Sequence, residues 1–451
     1  MADKNDLSEL AVDLLRLANQ RGATEADVVV ADGENFSVQV RLSAVDRLMK
    51  AREKRLGLRV FFGKRSASAS TADFSRDSLD RLVSDTCTLA AAVVEDPLSG
   101  LPAGELMAKD VPDLDLYDPV SLETEKQIEL ARRTEEAAMS ADARITNSEG
   151  ADFNSASGRV VLANSQGFVG EYRSTSFSIS VSPIAMAPDS NSMQRDYWYA
   201  AKRKYAALDS PESVGREAAR RTVRRLGARK VATRRAPVIF DQEMAGSLLG
   251  TLCSAASGYA LYKGASFLID QLGKQIAPET ITIYDDGRLS GGLGSRPFDG
   301  EGLPTRKNAI VERGVLQNYL LDTYSARKLG LSSTGNASRG VGESPSVGPT
   351  NFYLVPGTAS PAEIIRSVRE GLYVTELIGF GVNMVTGDYS RGAAGFWIQN
   401  GELAHPVEEI TIAGNLKQMF ANIDMIGNDL EFRGRIASPT IKIGEMMIAG
   451  N

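Results

Sequence analysis

The sequence predicts an α+β fold, with two N-terminal segments that each combine a helix with an antiparallel meander, followed by a β-rich C-terminal domain. Apolar residues recur at helical spacing early in each segment, and strands that alternate apolar and polar residues come after them. Helices mixed with antiparallel hairpins are typical of α+β proteins and not of parallel doubly wound ones. We predict domains at 1–95, 121–236 and 237–451, with a linker at 96–120.

The first segment is predicted to contain a helix, four strands and a second helix. The first helix ends at Gly22, and its apolar stripe consists of Leu7, Leu10, Leu14 and Leu17. Alternation and turn residues predict the strands 26–31, 36–42, 55–62 and 66–70. A turn at Asp32-Gly33 separates the first two strands, and Ser75 is the predicted N-cap of the second helix.

The linker is rich in Pro, Gly, Asp and Leu, and the second segment begins after it. Ser121 is predicted to cap a charged helix that runs to about Ala141. The strands that follow are predicted at 157–163, 167–182 and 192–200, with a hairpin turn at 164–167. Ser210 and Pro211 then begin another helix, which Gly227 ends.

The C-terminal domain reads as short strands joined by long ordered loops, which often carry function. Asp241 is the predicted cap of a helix that runs to about Ser257, and Ser360 with Glu363 forms a capping box. A strand is predicted at 237–240, before the first of these helices. Further strands are predicted at 281–285, 309–311, 317–322, 351–354, 395–399, 407–412 and 438–443.

The chain contains a single histidine, His405, and this limits the hydrolytic chemistry open to it. Zinc hydrolases use two or three imidazole ligands, and serine or cysteine triads use a histidine base. The residues around His405 predict the start of a strand and show no nucleophile motif. The common zinc and triad chemistries are therefore nearly excluded for this chain alone.

Composition favours a cytoplasmic protein that binds neither membranes nor nucleic acids. The formal net charge is −6, the N-terminus lacks the pattern of a signal peptide, and no apolar stretch approaches the roughly 18 residues of a membrane span. Cys87 and Cys253 are predicted to be buried thiols, as in a reducing compartment. One arginine-rich stretch is predicted to be mostly a solvated face: Arg216, Arg220, Arg221, Arg224, Arg225, Arg229, Lys230, Arg234 and Arg235.

The C-terminal half resembles the TldD/TldE (PmbA) family of peptidases. The stretches that carry the resemblance are 262–276, 295–302, 319–330, 374–377, 386–397 and 409–416. The resemblance implies a two-subunit zinc peptidase that acts on unfolded peptides. In the TldD subunit of that family, a helix carries a His-Glu pair that is followed, after three intervening residues, by a second histidine, and a cysteine near the C-terminus completes the metal site.

This chain departs from the TldD pattern and looks like the metal-free TldE (PmbA) subunit. The motif positions correspond to about Leu249, Gly250 and Ser254, none of which can bind zinc or act as a general base. The segment 433–440 contains no cysteine. The resemblance therefore implies no metal and no cofactor in this chain, and zinc in a TldD-like partner. Considered without the resemblance, the apolar residues of this helix predict a packed core or a subunit contact.

The best candidate for function in the sequence is the glycine-rich loop predicted at 386–395. We expect Gly387, Asp388, Tyr389, Ser390 and Arg391 to line either a peptide chamber or a subunit interface, because glycine allows close approach and Arg391 offers a planar fork. The alternative is a structural turn in which Asp388 pairs with Arg391.

A site built from carboxylates alone, with Asp285, Asp286 and Glu376, is conceivable for Mg²⁺ or Ca²⁺. However, Asp285-Asp286-Gly287 is also a common turn sequence, and the turn is the favoured interpretation.

The predicted function is that of a non-catalytic subunit, which pairs with a TldD-like zinc peptidase as a heterodimer and helps to hold extended peptides, through strand addition to a sheet edge. In isolation, the chain is expected to form a homodimer through the same surface. One alternative is a non-enzymatic interaction protein of the gyrase-modulator type. Another is an independent hydrolase with unusual chemistry, such as a Ser–Lys dyad.

Overall fold

The computed structural model describes residues 6–187 and 192–450. The N-terminal residues Met1–Asn5, which entered the expectation about a signal peptide, lie outside this range. The helices of the described residues are α1 (Asp6–Gln20), α2 (Arg76–Ala92), α3 (Thr124–Met139), α4 (Pro211–Val223), α5 (Gln242–Ala255), α6 (Gly258–Tyr262), α7 (Thr323–Leu329), α8 (Pro361–Arg366) and α9 (Leu416–Ala421), with 3-10 turns at Gly104–Leu106 and Tyr205–Ala207.

Twenty strands are described, in three larger sheets and one two-stranded ladder. They are β1 (Glu25–Arg41), β2 (Ala44–Phe62), β3 (Arg65–Thr71), β4 (Ile145–Asn164), β5 (Val169–Met186), β6 (Met193–Arg195), β7 (Trp198–Lys202), β8 (Arg234–Phe240), β9 (Ile283–Asp286), β10 (Lys307–Glu312), β11 (Val315–Leu316), β12 (Ala337–Ser338), β13 (Ser346–Val347), β14 (Phe352–Leu354), β15 (Glu370–Ile378), β16 (Asp388–Gln399), β17 (Glu402–Asn415), β18 (Ile423–Ile426), β19 (Ile436–Ala437) and β20 (Ile441–Ala449). The predicted α+β class is confirmed.

The two N-terminal segments contribute to one sheet, with the strand order β3-β2-β1-β4-β5-β6 and β7 paired to β5. The two segments join where β1 runs antiparallel to β4, from Asp27 opposite Asn164 to Val40 opposite Ala151. Local sequence patterns predict the strands of each segment but not this pairing, because its partners are more than 100 residues apart.

The predicted turn at Asp32-Gly33 is wrong, and β1 continues through it without a break. Gly33 lies opposite Glu53 of β2 on one side and Gly158 of β4 on the other. Ladder hydrogen bonds with two neighbouring strands outweigh the turn preference of an Asp-Gly pair. The first segment therefore has three strands, two of them very long, where four were predicted.

All four N-terminal helices pack on the same face of this sheet. Val28 and Val30 of β1 lie in the cluster formed with α1 and α2, whereas Phe36 and Val38 lie in the cluster formed with α3 and α4. These side chains all belong to even-numbered positions and therefore share a face. Between the two helix pairs, the polar stretch around Glu34 lines two neighbouring cavities of about 170 and 410 Å³.

The opposite face of the sheet contacts the C-terminal domain through a buried ionic cluster. Arg59 of β2 and Arg339 of the C-terminal domain both donate to Asp27, at 3.0 Å from Arg59 Nε and 2.7 Å from Arg339 Nη1. Although burial opposes ionisation of Asp27, the guanidinium groups of Arg339 and Arg59 outweigh it and hold its pKa below the usual value. Nearby, Phe298 packs edge-on against Phe168.

The C-terminal domain is built around a closed ring of strands. The order β17-β16-β15-β8-β20 closes on itself because β17 also pairs with β20, and β18 extends from β20. A second sheet has the order β11-β10-β9-β14-β19. The strand predicted at 317–322 is wrong, because Leu320 forms only an isolated bridge with Ser257 and Asp322 instead begins α7 as its N-cap.

Several local predictions agree with the structure. Ser210, Asp241 and Ser360 each accept a backbone hydrogen bond as N-caps, and Ser360 with Glu363 forms the predicted capping box. Cys87 and Cys253 are buried free thiols, as predicted. Among the described residues, no helix combines the length and apolar character needed to cross a membrane.

The arginine-rich stretch after Ser210 is mostly solvated, as predicted, but three of its nine cations, Arg221, Arg224 and Arg225, are buried or half-buried. Arg216 and Arg220 are exposed, but Arg221 is 6% exposed and lies against Asp196 and Asp241. Arg225 pairs with Glu376. Arg221 also donates to the Thr375 carbonyl of β15 at 3.5 Å and so contacts the C-terminal domain, which helical periodicity alone does not reveal.

Candidate functional site

The candidate site is built on α5, the helix that contains the motif positions Leu249, Gly250 and Ser254. Asp241 caps this helix by accepting a hydrogen bond from the Met244 amide at 2.9 Å. One face of α5 is apolar and packs into the C-terminal core, and it consists of Ala245, Leu248, Leu249, Leu252, Cys253 and Ala255. The opposite face borders a groove.

The three motif positions do not share a face of α5. Leu249 is 3% exposed and points into the core. Gly250 lies on the groove side, where an added Cβ would be 3.5 Å from Ile436 Cδ1. Ser254 is exposed, and its hydroxyl donates to the Gly250 carbonyl at 3.0 Å. The structure therefore brings Gly250 and Ser254 together and separates them from Leu249.

The groove beside α5 is a cavity of about 350 Å³ between the N-terminal sheet and the C-terminal domain. Its walls come from the start of β7 and the residue before it, from the first turns of α5 and from the segment 431–438. The lining residues are Tyr197, Tyr199, Gln242, Glu243, Met244, Gly246, Ser247, Glu431, Arg433, Gly434, Ile436, Ala437 and Ser438.

Arg433 is the central charge of the groove. Its guanidinium donates to Gln242 Oε1 at 3.1 Å, to Glu243 Oε1 at 3.4 Å and to Glu431. Tyr199 donates its hydroxyl proton to Glu243 Oε2 at 2.9 Å. Burial and the neighbouring Glu243 carboxylate raise the pKa of Tyr199 well above its usual value, so that its hydroxyl stays a donor at neutral pH.

Trp198 of β7 supports this network by packing between two guanidinium groups. Arg433 lies 4.4 Å from its ring centroid and Arg221 lies 4.9 Å from it. Cation–π contacts of this kind contribute about 0.5–2 kcal/mol each, and more when they are shielded from water. The indole therefore joins α4, β7 and the segment after β18 into one rigid wall.

The predicted loop 386–395 is mostly strand, because β16 begins at Asp388 and pairs with both β15 and β17. The alternation of a strand places Asp388 and Ser390 outwards and Tyr389 and Arg391 inwards. Asp388 accepts hydrogen bonds from Thr386 Oγ1 at 2.7 Å and Asn415 Nδ2 at 3.1 Å. The alternative in which Asp388 pairs with Arg391 is therefore wrong.

Arg391 and Tyr389 of β16 reach inwards from the strand. Arg391 donates to Ser247 Oγ of α5 at 3.1 Å and to the Leu377 carbonyl at 3.4 Å. Tyr389 is 2% exposed, and burial raises its pKa to about 12, against the opposing effect of Arg391. Gly387, a buried residue with φ of 84°, forms the turn before the strand. The strand thus contacts the helix of the candidate site through Arg391.

The carboxylates Asp285, Asp286 and Glu376 do not form one site. Asp285 lies in β9 and accepts hydrogen bonds from Asn336 Nδ2 at 2.7 Å and from the Thr350 amide at 2.8 Å. Glu376 pairs with Arg225. The favoured interpretation of Asp285-Asp286-Gly287 as a turn is confirmed for its second half. Asp285 and Asp286 end β9, and the chain turns at Gly287, where the Arg288 amide donates to Asp286 Oδ1 at 2.9 Å.

The donor set of the groove does not fit a zinc ion. Glu243 is held by Tyr199 and Arg433, and an arginine beside a metal site opposes cation binding. Over residues 6–187 and 192–450, no group of three or more His, Cys, Asp or Glu side chains could hold a metal ion. His405 lies in β17 opposite Trp397, where burial and the nearby Arg229 lower its pKa.

Sequence reasoning missed the residues that give the groove its charge. Arg433 lies more than 200 residues after Trp198 and Tyr199, and none of the three stands in a motif. The one sequence signal that could have indicated the groove was Glu243, a carboxylate in the first turn of α5, whose opposite face is apolar.

Replacing Arg433 with methionine is expected to lower the free energy of unfolding by about 2–3 kcal/mol, because two partly buried carboxylates lose their shared cation. Urea unfolding followed by circular dichroism measures the change. Arg235→Met is the matched control, since Arg235 pairs with the exposed Glu445, and its effect is expected within about 0.5 kcal/mol. Equal losses in both variants would contradict a central role for Arg433.

Comparison with known proteins defines the class to which this fold and groove belong. Models of the PmbA/TldA metallopeptidase match in three parts: domain 1 at 26–90, the central domain at 117–226 and the C-terminal domain at 233–450. Metalloprotease PmbA of Escherichia coli O157:H7 is 43% identical over 449 residues, covering 100% of this chain and 97% of that protein. A PmbA homologue of Haemophilus influenzae is 39% identical over 451 residues.

The solved structures agree. A putative modulator of DNA gyrase from Bacteroides thetaiotaomicron superposes with a TM-score of 0.92 at 29% identity over the whole of both chains. TldE from Thermococcus kodakarensis has the same fold, with a TM-score of 0.88 at 21% identity over 97% of this chain and 99% of that one.

The chain belongs to the PmbA/TldD metallopeptidase family. A TldD homologue of Buchnera aphidicola matches only 48% of this chain, at 32% identity, whereas PmbA proteins match it along nearly its full length. Within the family, the chain is therefore of the PmbA (TldE) type, as the sequence resemblance suggested.

Proposed function

We propose that this chain is the metal-free subunit of a two-subunit zinc peptidase that cleaves unfolded peptides in the cytoplasm. The partner is a TldD-type homologue, which supplies the zinc ion, and this chain forms part of the wall of the peptide chamber. One observation carries the proposal: the α5 groove is organised around the cation Arg433, and its motif positions hold Leu249, Gly250 and Ser254.

The surface beside Arg391 supports a role in subunit contact. Phe380 is 99% exposed at the tip of the β15–β16 hairpin, and Ile378 and Val385 are more than half exposed. A backbone hydrogen bond ties the hairpin together near its tip, since the Ser390 amide donates to the Gly381 carbonyl at 2.7 Å. An exposed apolar side chain at such a tip is a typical anchor of a protein interface.

The experiment is reconstitution. The purified chain is expected to contain no stoichiometric zinc and to leave an unstructured peptide intact. Mixing it with a zinc-bearing TldD-type homologue is expected to produce cleavage that a chelator abolishes. Stoichiometric zinc in the isolated chain, or cleavage by it that survives chelation, would contradict the proposal and favour an independent hydrolase.

A surface variant tests the partnership separately. Phe380→Asp is expected to reduce co-purification with the homologue at least tenfold, because a charge replaces the apolar anchor. Val94→Asp is the matched control, since Val94 is 90% exposed in the N-terminal half and is expected to leave co-purification unchanged. Light scattering of the chain alone measures whether it forms the expected homodimer.

A second candidate function is that of a non-enzymatic interaction protein, favoured by the likeness to a solved chain described as a putative modulator of DNA gyrase. Purification of the tagged chain from its own cells distinguishes the two functions. Recovery of gyrase without any TldD-type homologue would support this alternative and contradict the peptidase subunit.

A further inference from the structure

The outer edge of the N-terminal sheet is unpaired over a long stretch. β2 runs from Ala44 to Phe62, but its outer neighbour β3 pairs only with Leu56–Phe62. A bulge at Asp46 interrupts the pairing with β1, so the regular free edge is 47–55. Along a free edge, every second residue directs both its N–H and its C=O outwards.

This free edge is strongly basic although the chain as a whole is acidic, with a net charge of −6. Of its nine residues, five are cations and one is a carboxylate; the cations are Arg47, Lys50, Arg52, Lys54 and Arg55. Arg52 is the only one of the five that forms an ion pair in the described structure, to Asp32 at 3.5 Å, and its side chain remains 69% exposed.

The free edge also lies beside a cavity that could receive side chains of an added strand. Lys50 pairs with Phe36 and Arg52 with Glu34 across the ladder, so both cations lie on the helix-covered face of the sheet. Lys50 and Arg52 line the cavity of about 170 Å³ whose walls include Phe36 and Phe177. Alternate side chains of a strand added to β2 would therefore lie beside these cations, on the face where the cavity opens.

We infer that the edge 47–55 binds an acidic, extended peptide segment by strand addition. The backbone of the peptide completes the ladder, and its carboxylates face Lys50, Arg52 and Lys54. Lysines on an edge strand discourage pairing between two copies of the chain, because like charges repel. For the same reason, these cations favour the binding of an acidic strand over a basic one. This inference rests on the proposed function and narrows its substrate class to peptides with acidic extended stretches.

Binding is tested with the full-length chain alone and a fluorescent peptide of four Glu-Val repeats, by anisotropy at low salt. The acidic peptide is expected to bind at least tenfold more tightly than four Lys-Val repeats. Exchange of the backbone amide hydrogens of residues 47–55 is expected to slow when the acidic peptide is added. A version of the peptide methylated at alternate backbone nitrogens is expected to lose binding, because it cannot complete the ladder.

The variant Lys50→Glu/Arg52→Glu is expected to weaken binding at least tenfold. The control Arg16→Glu/Arg81→Glu makes the same change in net charge on exposed positions of α1 and α2, and it is expected to change binding less than twofold. Three results would each overturn the inference. The methylated peptide could bind as tightly as the unmethylated one, or both double variants could lose binding equally. The third result is displacement of the bound acidic peptide by oligo-dT at equimolar charge. The reconstitution with the zinc-bearing homologue is independent, since it can fail while this binding persists.

Discussion

Replacing Asp27 with alanine is expected to destabilise the protein by about 3–5 kcal/mol, the usual loss when one partner of a buried ion pair is removed. Asp27 is 2% exposed, and the side chain of Arg339 is 4% exposed. Without the carboxylate, the guanidinium groups of Arg59 and Arg339 would be left close together. Among the described residues, neither guanidinium forms an ion pair with any other carboxylate.

Urea unfolding of Asp27→Ala measures this loss. Asp13→Ala is the control, because Asp13 pairs with Arg16 on the surface, where both side chains are about two-thirds exposed. A loss below about 1 kcal/mol for Asp27→Ala, the size expected of an exposed pair, would contradict the structural role of the cluster. Since Asp27 and Arg339 belong to different parts of the chain, the loss also measures how strongly the N-terminal sheet is joined to the C-terminal domain.

The second prediction concerns Glu301, a buried carboxyl 4% exposed beside the same cluster. Its Oε2 accepts a hydrogen bond from the Thr323 amide at 2.9 Å. Burial and the neighbouring Asp299 carboxylate raise its pKa to about 7, although Arg59 opposes the shift. Because the pKa is higher in the folded state than the usual 4.5, the folded protein retains a proton that the unfolded chain releases.

The stability contribution of Glu301 therefore falls as the pH rises from about 4.5 to 7 and does not recover above that range. Glu301→Gln stays neutral and is expected to lack this fall. Relative to the wild-type protein, the variant is expected to gain up to about 3 kcal/mol between pH 5 and pH 8. Urea unfolding at a series of pH values measures the difference. Glu312→Gln, at an exposed position, is the control, and its stability is expected to follow the same pH curve as the wild-type protein. If Glu301→Gln also followed the wild-type curve, the Glu301 carboxyl would already be ionised at pH 5 and the prediction would be wrong.

What the sequence predicted well was set by short-range chemistry. N-caps at Ser210, Asp241 and Ser360 are recognisable because the cap and the amide it satisfies are only three residues apart. The apolar face of α5 was recognisable for the same reason, since helical periodicity repeats within one element.

What the sequence could not predict depends on distant partners. Asp32-Gly33 has turn chemistry, and only the two flanking strands make it extended. Asp388 and Arg391 looked like a pair in a loop, but strand pairing turned them to opposite faces. Arg433 and Trp198 became part of a site only through tertiary packing, and Glu301 was visible in sequence only as one residue of a family-like stretch.

The ring of strands in the C-terminal domain has a consequence for biosynthesis. β8, near residue 240, pairs with β20, near residue 445, and β20 also contacts β17. The ring can therefore close only after β20 has emerged from the ribosome, and until then the edges of β8 and β17 are open to chaperones and to neighbouring nascent chains. The N-terminal sheet, complete by residue 202 in the described chain, can form earlier during translation.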